Sequence, residues 1–160
     1  MKRMLACVLA AALSGCVAVS TNENPTPASA KEMRMAFDVT DAATQPLLVK
    51  LETIETTRKQ LVDAGYTPRI VVAFRGNASY FTQTDLSLVK EADRADALKI
   101  QAMIRRFKQD NVIESAEQCN IPLAPRKIQA QNLMPEVKLV PNGWIALAEY
   151  QRKGYAYIAP

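Results

Sequence analysis

The stretch Ile70-Val71-Val72-Ala73-Phe74-Arg75-Gly76-Asn77 indicates the fold class of this chain. Its first five residues form a short, continuous apolar run. Such a run is typical of a strand that is buried on both faces, as in a parallel sheet. The next three residues, Arg75-Gly76-Asn77, read as a turn at the end of that strand. The sequence on either side is therefore expected to supply helices that cover the sheet.

Strands and helices are predicted to alternate on both sides of this run. Before it, residues 33–39 have the period-two pattern of a strand, and residues 45–64 carry an apolar stripe at helical spacing that stops at Gly65. After it, residues 79–92 read as a short helix followed by a loop. The remaining predicted elements are a helix over 93–108, a strand over 112–118 with Cys119 at its end, a short helix over 125–131, a strand over 137–140, a helix over 144–153 and a strand over 155–158. This alternation predicts an α/β fold with a layered sheet and crossover helices.

The composition limits the function more than it defines it. The chain has 160 residues, the size of one domain, and 49% of them are hydrophobic, which is enough for a packed core. It contains no histidine, and this excludes the Ser-His-Asp triad, the Cys-His dyad, the HExxH zinc site and haem ligation by histidine. No basic patch with interleaved aromatic residues is present, so nucleic-acid binding is not expected. No P-loop, dinucleotide fingerprint or CxxC motif is present either, and neither a cofactor nor a metal is predicted.

The first residues read as a secretion signal. Lys2 and Arg3 precede an apolar run over residues 4–13, which is too short to span a membrane. The run ends in Leu13-Ser14-Gly15-Cys16, which is similar to the lipobox of bacterial lipoproteins. That resemblance implies cleavage before Cys16 and a diacylglycerol group on its sulfur. The alternative is an ordinary signal peptide with an incidental cysteine, which would leave a freely soluble exported protein.

Three segments follow from this interpretation: a lipoprotein signal peptide over residues 1–15, a flexible tether over 16–31 that is rich in Ser, Thr, Asn, Pro and Ala, and one domain over 32–160. The predicted location is the cell envelope, with the domain in the periplasm of a Gram-negative host and a membrane attachment through the lipid on Cys16. Val17 follows the modified cysteine in place of the aspartate associated with inner-membrane retention. By resemblance, the outer membrane is therefore favoured.

Cys119 is the candidate for chemistry. After export and lipidation of Cys16 it is the only free thiol left, in an oxidising compartment. It falls at the end of a strand, and Arg75 and Gly76 end an earlier strand at the same expected edge of the sheet. Peptide N–H groups at the start of the predicted helix over 125–131, together with Arg126, would stabilise a thiolate or a persulfide. The alternative, given equal weight, is a small buried apolar cysteine.

Other polar and aromatic residues are interpreted as structural. Asp38, Asp41, Asp93 and Asp96 read as helix caps and members of solvated faces. Trp144 reads as part of the core or of a subunit interface. The aromatic pair Tyr155 and Tyr157, at strand spacing, reads as packing.

The second half of the chain resembles the exported members of the DsrE/DsrF-like sulfur-relay family. The resemblance is carried by Cys119-Asn120, Met134-Pro135-Glu136-Val137, Val140-Pro141-Asn142-Gly143-Trp144-Ile145, Glu149-Tyr150-Gln151 and Gly154-Tyr155-Ala156-Tyr157-Ile158. The turn Phe74-Arg75-Gly76-Asn77-Ala78 is also similar to a turn of that family. The resemblance covers residues 33–160 and is most specific in the last third. Arg75 occupies the position where many relatives have histidine, and the loop after Cys119 lacks their usual glycine and threonine.

This resemblance implies a flavodoxin-like three-layer fold with a mostly parallel sheet, and association into homo-oligomers. It also implies that Cys119 can carry a persulfide, with Arg75, Gly76, Asn120 and Arg126 as candidate binding residues and a small sulfur compound or a thiol as partner. Two functions are therefore expected. In the first, Cys119 carries sulfur or senses redox state. In the second, the domain is a non-catalytic envelope binding or assembly module, and Cys119 is buried and structural.

Overall fold

The structure, a computed structural model, describes residues 31–160, so the predicted signal peptide, Cys16 and nearly all of the predicted tether lie outside the described residues. Lys31, the first described residue, is also the first residue of a strand. The described elements are β1 (Lys31–Val39), α1 (Thr44–Asp63), β2 (Tyr66–Phe74), α2 (Arg94–Gln109), β3 (Ser115–Cys119), β4 (Val137–Val140), α3 (Gly143–Arg152) and β5 (Ala156–Ile158).

All five strands form one parallel sheet in the order β4-β3-β2-β1-β5. The chain moves in one direction from β1 to β4 and then returns to the far side of β1. Because crossovers between parallel strands are right-handed, the return connection lies on the opposite face from the others. Accordingly, α1 packs on α2, whereas α3 packs on the sheet alone. The result is the three-layer α/β arrangement that the sequence predicted, consistent with a flavodoxin-like fold. In flavodoxin itself, the strand at the outer side of β1 is the second in the chain rather than the last.

The apolar run of β2 is buried on both faces, as predicted. Ile70, Val72 and Phe74 belong to the larger core cluster, between the sheet and the helices α1 and α2. Val71 and Ala73 belong to the smaller cluster under α3. Because the side chains of a strand alternate between its faces, a continuous apolar run supplies both clusters at once. The strand therefore forms the centre of the molecule, and packing on both of its faces holds its end at Phe74 in position.

Several predicted boundaries differ from the structure. The first strand begins at Lys31 rather than at residue 33, and the second begins at Tyr66, four residues before its apolar run. The third strand begins at Ser115 rather than at residue 112, because the N–H groups of Val112 and Ile113 both bond to the Phe107 carbonyl at the end of α2. The predicted short helix over 125–131 was wrong, since two 3₁₀ turns occupy this segment, Ala124–Arg126 and Ala130–Asn132. Lys127 ends the first turn in the left-handed conformation, with φ of 58°, and this interrupts helical hydrogen bonding.

Other boundaries agree with the prediction to within one residue for α1, α2, α3 and β5, and β4 matches it fully. The segment predicted as a short helix and a loop contains a 3₁₀ helix over Gly76–Thr82 and a further 3₁₀ turn over Glu91–Asp93.

Within residues 31–160, no helix combines the length and the apolar character needed to cross a membrane.

Candidate functional site

The cavity at the carboxyl end of β3 lies at a point where the topology reverses. The connection after β3 runs over the face that carries α1 and α2, where Met134 joins the larger core cluster. The connection after β4 enters α3 on the other face. Neighbouring strands whose connections leave to opposite faces open a crevice between them, where open α/β sheets bind ligands. The cavity there has a volume of about 200 Å³. Its lining residues are Arg75, Gly76, Cys119, Ile121, Pro122, Pro125, Arg126, Asn142 and Trp144.

Cys119 is part of the cavity wall, although only 4% of its surface is exposed. Its Sγ accepts a hydrogen bond of 3.1 Å from the backbone N–H of Gly143, the first residue of α3. The prediction that the helix after Cys119 supplies this donor was therefore wrong, although the N-terminus of another helix does lie beside the sulfur. The donor comes from α3, which follows β4, and not from the segment after Cys119. The side chain of Asn142 caps the same helix by accepting from the Trp144 N–H at 3.0 Å.

Gly143 is required by the close approach of three chain segments. A Cβ atom at this position would lie 2.6 Å from Cδ of Arg75 and 3.0 Å from Cβ of Cys119. The first distance is shorter than real Cβ contacts and the second is at their lower limit, so a larger residue would displace the Arg75 side chain or the start of α3. The absence of a side chain is therefore what allows the Gly143 N–H to reach the sulfur.

Arg75 directly follows β2, and its guanidinium faces both the cavity and a buried carboxylate. Arg75 Nε donates to Oδ1 of Asp38 at 2.7 Å, and Nη2 donates to Oδ2 of the same carboxylate. Tyr157 also donates its hydroxyl to Asp38 Oδ2, at 2.8 Å. The hydrogen bond to Asp38 raises the pKa of Arg75, and the same carboxylate raises the pKa of Tyr157. The guanidinium is thus held in place with its charge compensated.

The interpretation of Asp38 as a cap or solvated residue was wrong, because its side chain is buried. Asp38 lies near the end of β1, where Val39 pairs with Phe74 of β2. The same register pairs Asp38 with Ala73, two residues before Arg75, so the long Arg75 side chain reaches back along this face of the sheet to the carboxylate. The period-two pattern of residues 33–39 put Asp38 on the polar side of the predicted strand, so no signal in the sequence indicated that this carboxylate is buried.

Trp144 was predicted to lie in the core or in a subunit interface, and the core placement was wrong. Its side chain is 66% exposed and stands at the mouth of the cavity. The Arg75 guanidinium lies 5.1 Å from the centroid of the indole ring, within the range of a cation–π contact. The sequence reasoning therefore missed Trp144 as a cavity residue. The predicted helix over 144–153 already began at Trp144, but no local pattern indicated that this first turn lies over the end of β3.

The structure brings four of the five residues predicted for this site together, namely Cys119, Arg75, Gly76 and Arg126. Arg126 donates to Oδ1 of Asn77 at 2.9 and 3.1 Å, and to the carbonyl of Pro122 at 3.2 Å. The side chain of Asn120 is exposed and does not line the cavity. The Asn120 backbone N–H instead bonds to the Val140 carbonyl at 2.9 Å and extends the pairing of β3 with β4.

The chemistry available in this arrangement is that of a sulfur nucleophile. The cavity contains one thiol, a peptide N–H aimed at its sulfur, and two guanidinium groups. Over residues 31–160, no group of three or more Cys, Asp or Glu side chains is arranged to hold a metal ion. A negative charge on Sγ would be stabilised by the Gly143 N–H, because hydrogen bonds to charged acceptors are stronger than those to neutral ones.

Comparisons with known proteins support the fold of this chain and do not indicate a function. No protein-family model matches this chain. An uncharacterised protein of Aquifex aeolicus (strain VF5) is 27% identical over 129 residues, which make up 81% of this chain and 56% of that protein. The chain thus spans little more than half the length of this relative. A solved structure of a protein of unknown function, MTH1491 from Methanobacterium thermoautotrophicum, has a TM-score of 0.53 and 18% identity, and it covers 81% of this chain and 99% of its own. The chain therefore has the three-layer α/β fold that this structural neighbour also adopts.

Proposed function

We propose that this chain is a DsrE-like envelope protein, anchored by lipid on Cys16, in which Cys119 carries a sulfur atom as a persulfide. The observation that supports the sulfur-carrying role is the hydrogen bond from the Gly143 N–H to Cys119 Sγ, made in the wall of an open cavity. A donor directed at sulfur stabilises the anion that must exist before and after each transfer. A thiol with this setting can also respond to redox state by reversible oxidation.

Sulfur transfer through Cys119 has two steps. The Cys119 thiol first loses its proton to solvent. The thiolate then attacks the outer sulfur of thiosulfate, a new S–S bond forms, the S–S bond of thiosulfate breaks, and sulfite leaves with the electron pair. In the second step, the thiolate of an acceptor attacks the outer sulfur of the persulfide, and Cys119 leaves as a thiolate. The Gly143 N–H faces the sulfur anion in both steps.

Intact-mass spectrometry tests this proposal. The purified chain carries Cys7→Ser and Cys16→Ser, so that Cys119 is its only cysteine, and it is incubated with thiosulfate. We expect a mass increase of one sulfur atom that a reducing thiol removes. The control adds Cys119→Ser and is expected to gain nothing. An absent adduct, or an equal adduct on the control, would contradict a sulfur-carrying role.

The second candidate is a non-catalytic envelope binding or assembly module with a structural Cys119. The observation in its favour is the 4% exposure of this side chain. Native and denatured labelling with iodoacetamide separates the two functions in the Cys7→Ser, Cys16→Ser chain. A Cys119 that reacts within minutes in the native protein supports the sulfur carrier. A Cys119 that reacts only after denaturation supports the structural role. The same module would use Trp144 in contacts between subunits of a homo-oligomer.

The location in the envelope is tested separately from the chemistry. Two acyl chains on one cysteine suffice for stable anchoring, so the wild-type chain is expected in the membrane fraction, with the outer membrane favoured over the inner. Cys16→Ser is expected to release the chain from the membrane or to block its maturation. If both chains appear in the soluble periplasmic fraction with the same mass, the lipid anchor does not exist.

A further inference from the structure

The charges around the cavity are not balanced. None of its nine lining residues is acidic. Arg75 is paired with Asp38, but Arg126 contacts only neutral acceptors, the Asn77 amide oxygen and the Pro122 carbonyl. Among residues 31–160, no carboxylate lies within 4.0 Å of the Arg126 guanidinium. The cavity therefore offers one uncompensated positive charge to whatever enters it.

Most of the remaining cavity wall is apolar, with Asn142 as its polar member. Ile121 is 57% exposed and Trp144 is 66% exposed, and Pro122 and Pro125 complete this wall. A closed apolar cavity of about 150 Å³ is large enough to hold benzene, so about 200 Å³ admits a group of that size. A bare inorganic anion would satisfy Arg126 but would leave these apolar side chains in water. A ligand with both an anionic head and an apolar body matches the two halves of the wall.

We propose that the cavity binds small organic anions, with a ring-sized apolar body against Trp144 and Ile121 and an anionic head at Arg126. An organic thiosulfonate is then a faster sulfur donor than inorganic thiosulfate, which lacks the apolar body. The donor assignment rests on the proposed sulfur-carrying function of Cys119, whereas the binding assignment does not. A sulfonyl head at Arg126 leaves the terminal sulfur of such a donor free to reach Cys119 in the same cavity.

The transfer step from an aromatic thiosulfonate is balanced without any further reactant. The Cys119 thiolate attacks the terminal sulfur of benzenethiosulfonate and forms the persulfide S–S bond. The bond between that sulfur and the sulfonyl sulfur breaks, and benzenesulfinate leaves with the electron pair. One negative charge enters as thiolate and remains on the persulfide, while the charge of the donor leaves on the sulfinate. Arg126 faces the head that retains this second charge.

Binding is tested with benzenesulfonate, which has the ring and the anionic head but no sulfur to transfer. Trp144 is the only tryptophan of the chain, so its fluorescence reports on the cavity mouth without a label. We expect benzenesulfonate to change this fluorescence saturably. Sulfate, which lacks the ring, and benzenesulfonamide, which lacks the charge, should bind at least about tenfold more weakly, as expected when one charge-assisted hydrogen bond or one buried apolar group is lost.

Two variants locate the anionic head. Arg126→Gln should weaken benzenesulfonate binding about tenfold. Arg126→Lys, which keeps the positive charge, should retain part of the benzenesulfonate affinity that Arg126→Gln loses. The matched control is Lys127→Gln, which removes a neighbouring charge that does not line the cavity, and it should bind as the parent does. Each variant's thermal unfolding is measured alongside, so that a folding defect is recognised as such.

The outcomes separate this inference from the proposed function. Benzenesulfonate binding that depends on Arg126, without any persulfide on Cys119, supports the ligand class and rejects the sulfur carrier. Persulfide formation that is equally fast from thiosulfate and benzenethiosulfonate, without benzenesulfonate binding, overturns the inference and leaves the sulfur carrier standing. Trp144 fluorescence that changes with protein concentration and not with benzenesulfonate means that a second copy covers this wall, and it also overturns the inference.

Discussion

The backbone N–H of Gly143 donates a hydrogen bond to Sγ of Cys119 at 3.1 Å, although 24 positions separate the two residues in the chain. The strand register explains this contact. Cys119 pairs with Val140 at the ends of β3 and β4, and α3 begins three residues after Val140. Because α3 crosses back over the sheet, its first turn lies over the end of β3. The strand order and the direction of α3 therefore bring the helix N-terminus to the sulfur. No local sequence motif contains both residues.

Gly143→Ala is expected to destabilise the native state by about 1–3 kcal/mol, as for other overpacked sites. The added Cβ would overlap Arg75 and crowd Cys119. The same change should slow the formation of the Cys119 persulfide, since the N–H donor moves away from the sulfur. Urea unfolding and intact-mass time courses measure the two effects.

The control is Gly65→Ala. Its added Cβ would meet no atom within 4 Å, and it is strained only by the φ of 80° at this position. It should lose about 1 kcal/mol and leave persulfide formation unchanged. Equal behaviour of the two variants would contradict the close-approach role of Gly143.

Asp38→Asn is expected to lower the free energy of unfolding by about 3 kcal/mol, because it leaves the largely buried Arg75 guanidinium without its counter-charge. Chemical unfolding at neutral pH gives this value. Asp96→Asn serves as the control, since it removes the charge that pairs with Lys99 at the surface of α2 but keeps an oxygen that can accept from Gln45, and its loss should be clearly smaller. A loss at Asp38 no larger than the loss at Asp96 would show that the Arg75–Asp38 pair is not structurally important.

Tyr150→Phe tests the contact that holds α3 on β3 at its other end. The Tyr150 hydroxyl donates to Oε1 of Glu117 at 2.7 Å, and Glu117 is only 2% exposed. Burial, together with this bond, raises the pKa of Tyr150. Losing the donor to a buried carboxylate should cost about 2 kcal/mol in unfolding free energy. Tyr155→Phe is the matched control, because Tyr155 donates to Glu114, whose side chain is 41% exposed, and water can replace the hydroxyl there. If the control loses as much stability as Tyr150→Phe, burial of Glu117 is not the cause.

The pair that joins α1 to α2 predicts a dependence of stability on pH. Arg106 donates to both carboxylate oxygens of Glu55, at 2.6 and 2.7 Å, and lowers the Glu55 pKa from 4.5 to about 2. Because the folded pKa is the lower one, the contribution of Glu55 is complete above the unfolded pKa and is lost as the pH falls from about 5 to about 2. Since Arg106 is partly exposed, we expect this contribution to be about 1 kcal/mol.

Glu55→Gln should therefore flatten the acid side of the stability profile, measured by urea unfolding at several pH values between 6 and about 2. Glu52→Gln removes an exposed carboxylate from the same helix and controls for net charge. It should retain the acid dependence of the parent chain. Parallel profiles for the parent and Glu55→Gln would contradict a paired carboxylate at this position.

The sequence by itself determined the elements, because their hydrophobic periodicity is a local property. The apolar run of β2 predicted a strand buried on both faces, and the predicted bounds of α1, α2 and α3 agree with the structure to within one residue. The segment after Cys119 could not be predicted in the same way. Pro125 suggested a helix start, whereas the left-handed Lys127 breaks the segment into turns. Propensity alone does not decide between a helix and successive 3₁₀ turns over so few residues.

The tertiary structure alone decided which residues surround Cys119. The strand order places β4 beside β3, and only that pairing brings the first turn of α3 to the sulfur. The pairing of β1 with β2 likewise joined Asp38 to Arg75, and the direction of α3 left Trp144 at the cavity mouth. The sequence reasoning chose Cys119, Arg75, Gly76 and Arg126 because each follows a strand end or lies near one. It missed Asp38, Trp144 and Gly143, because their roles depend on contacts between strands that are distant in the chain, and such contacts leave no periodic signal in the sequence.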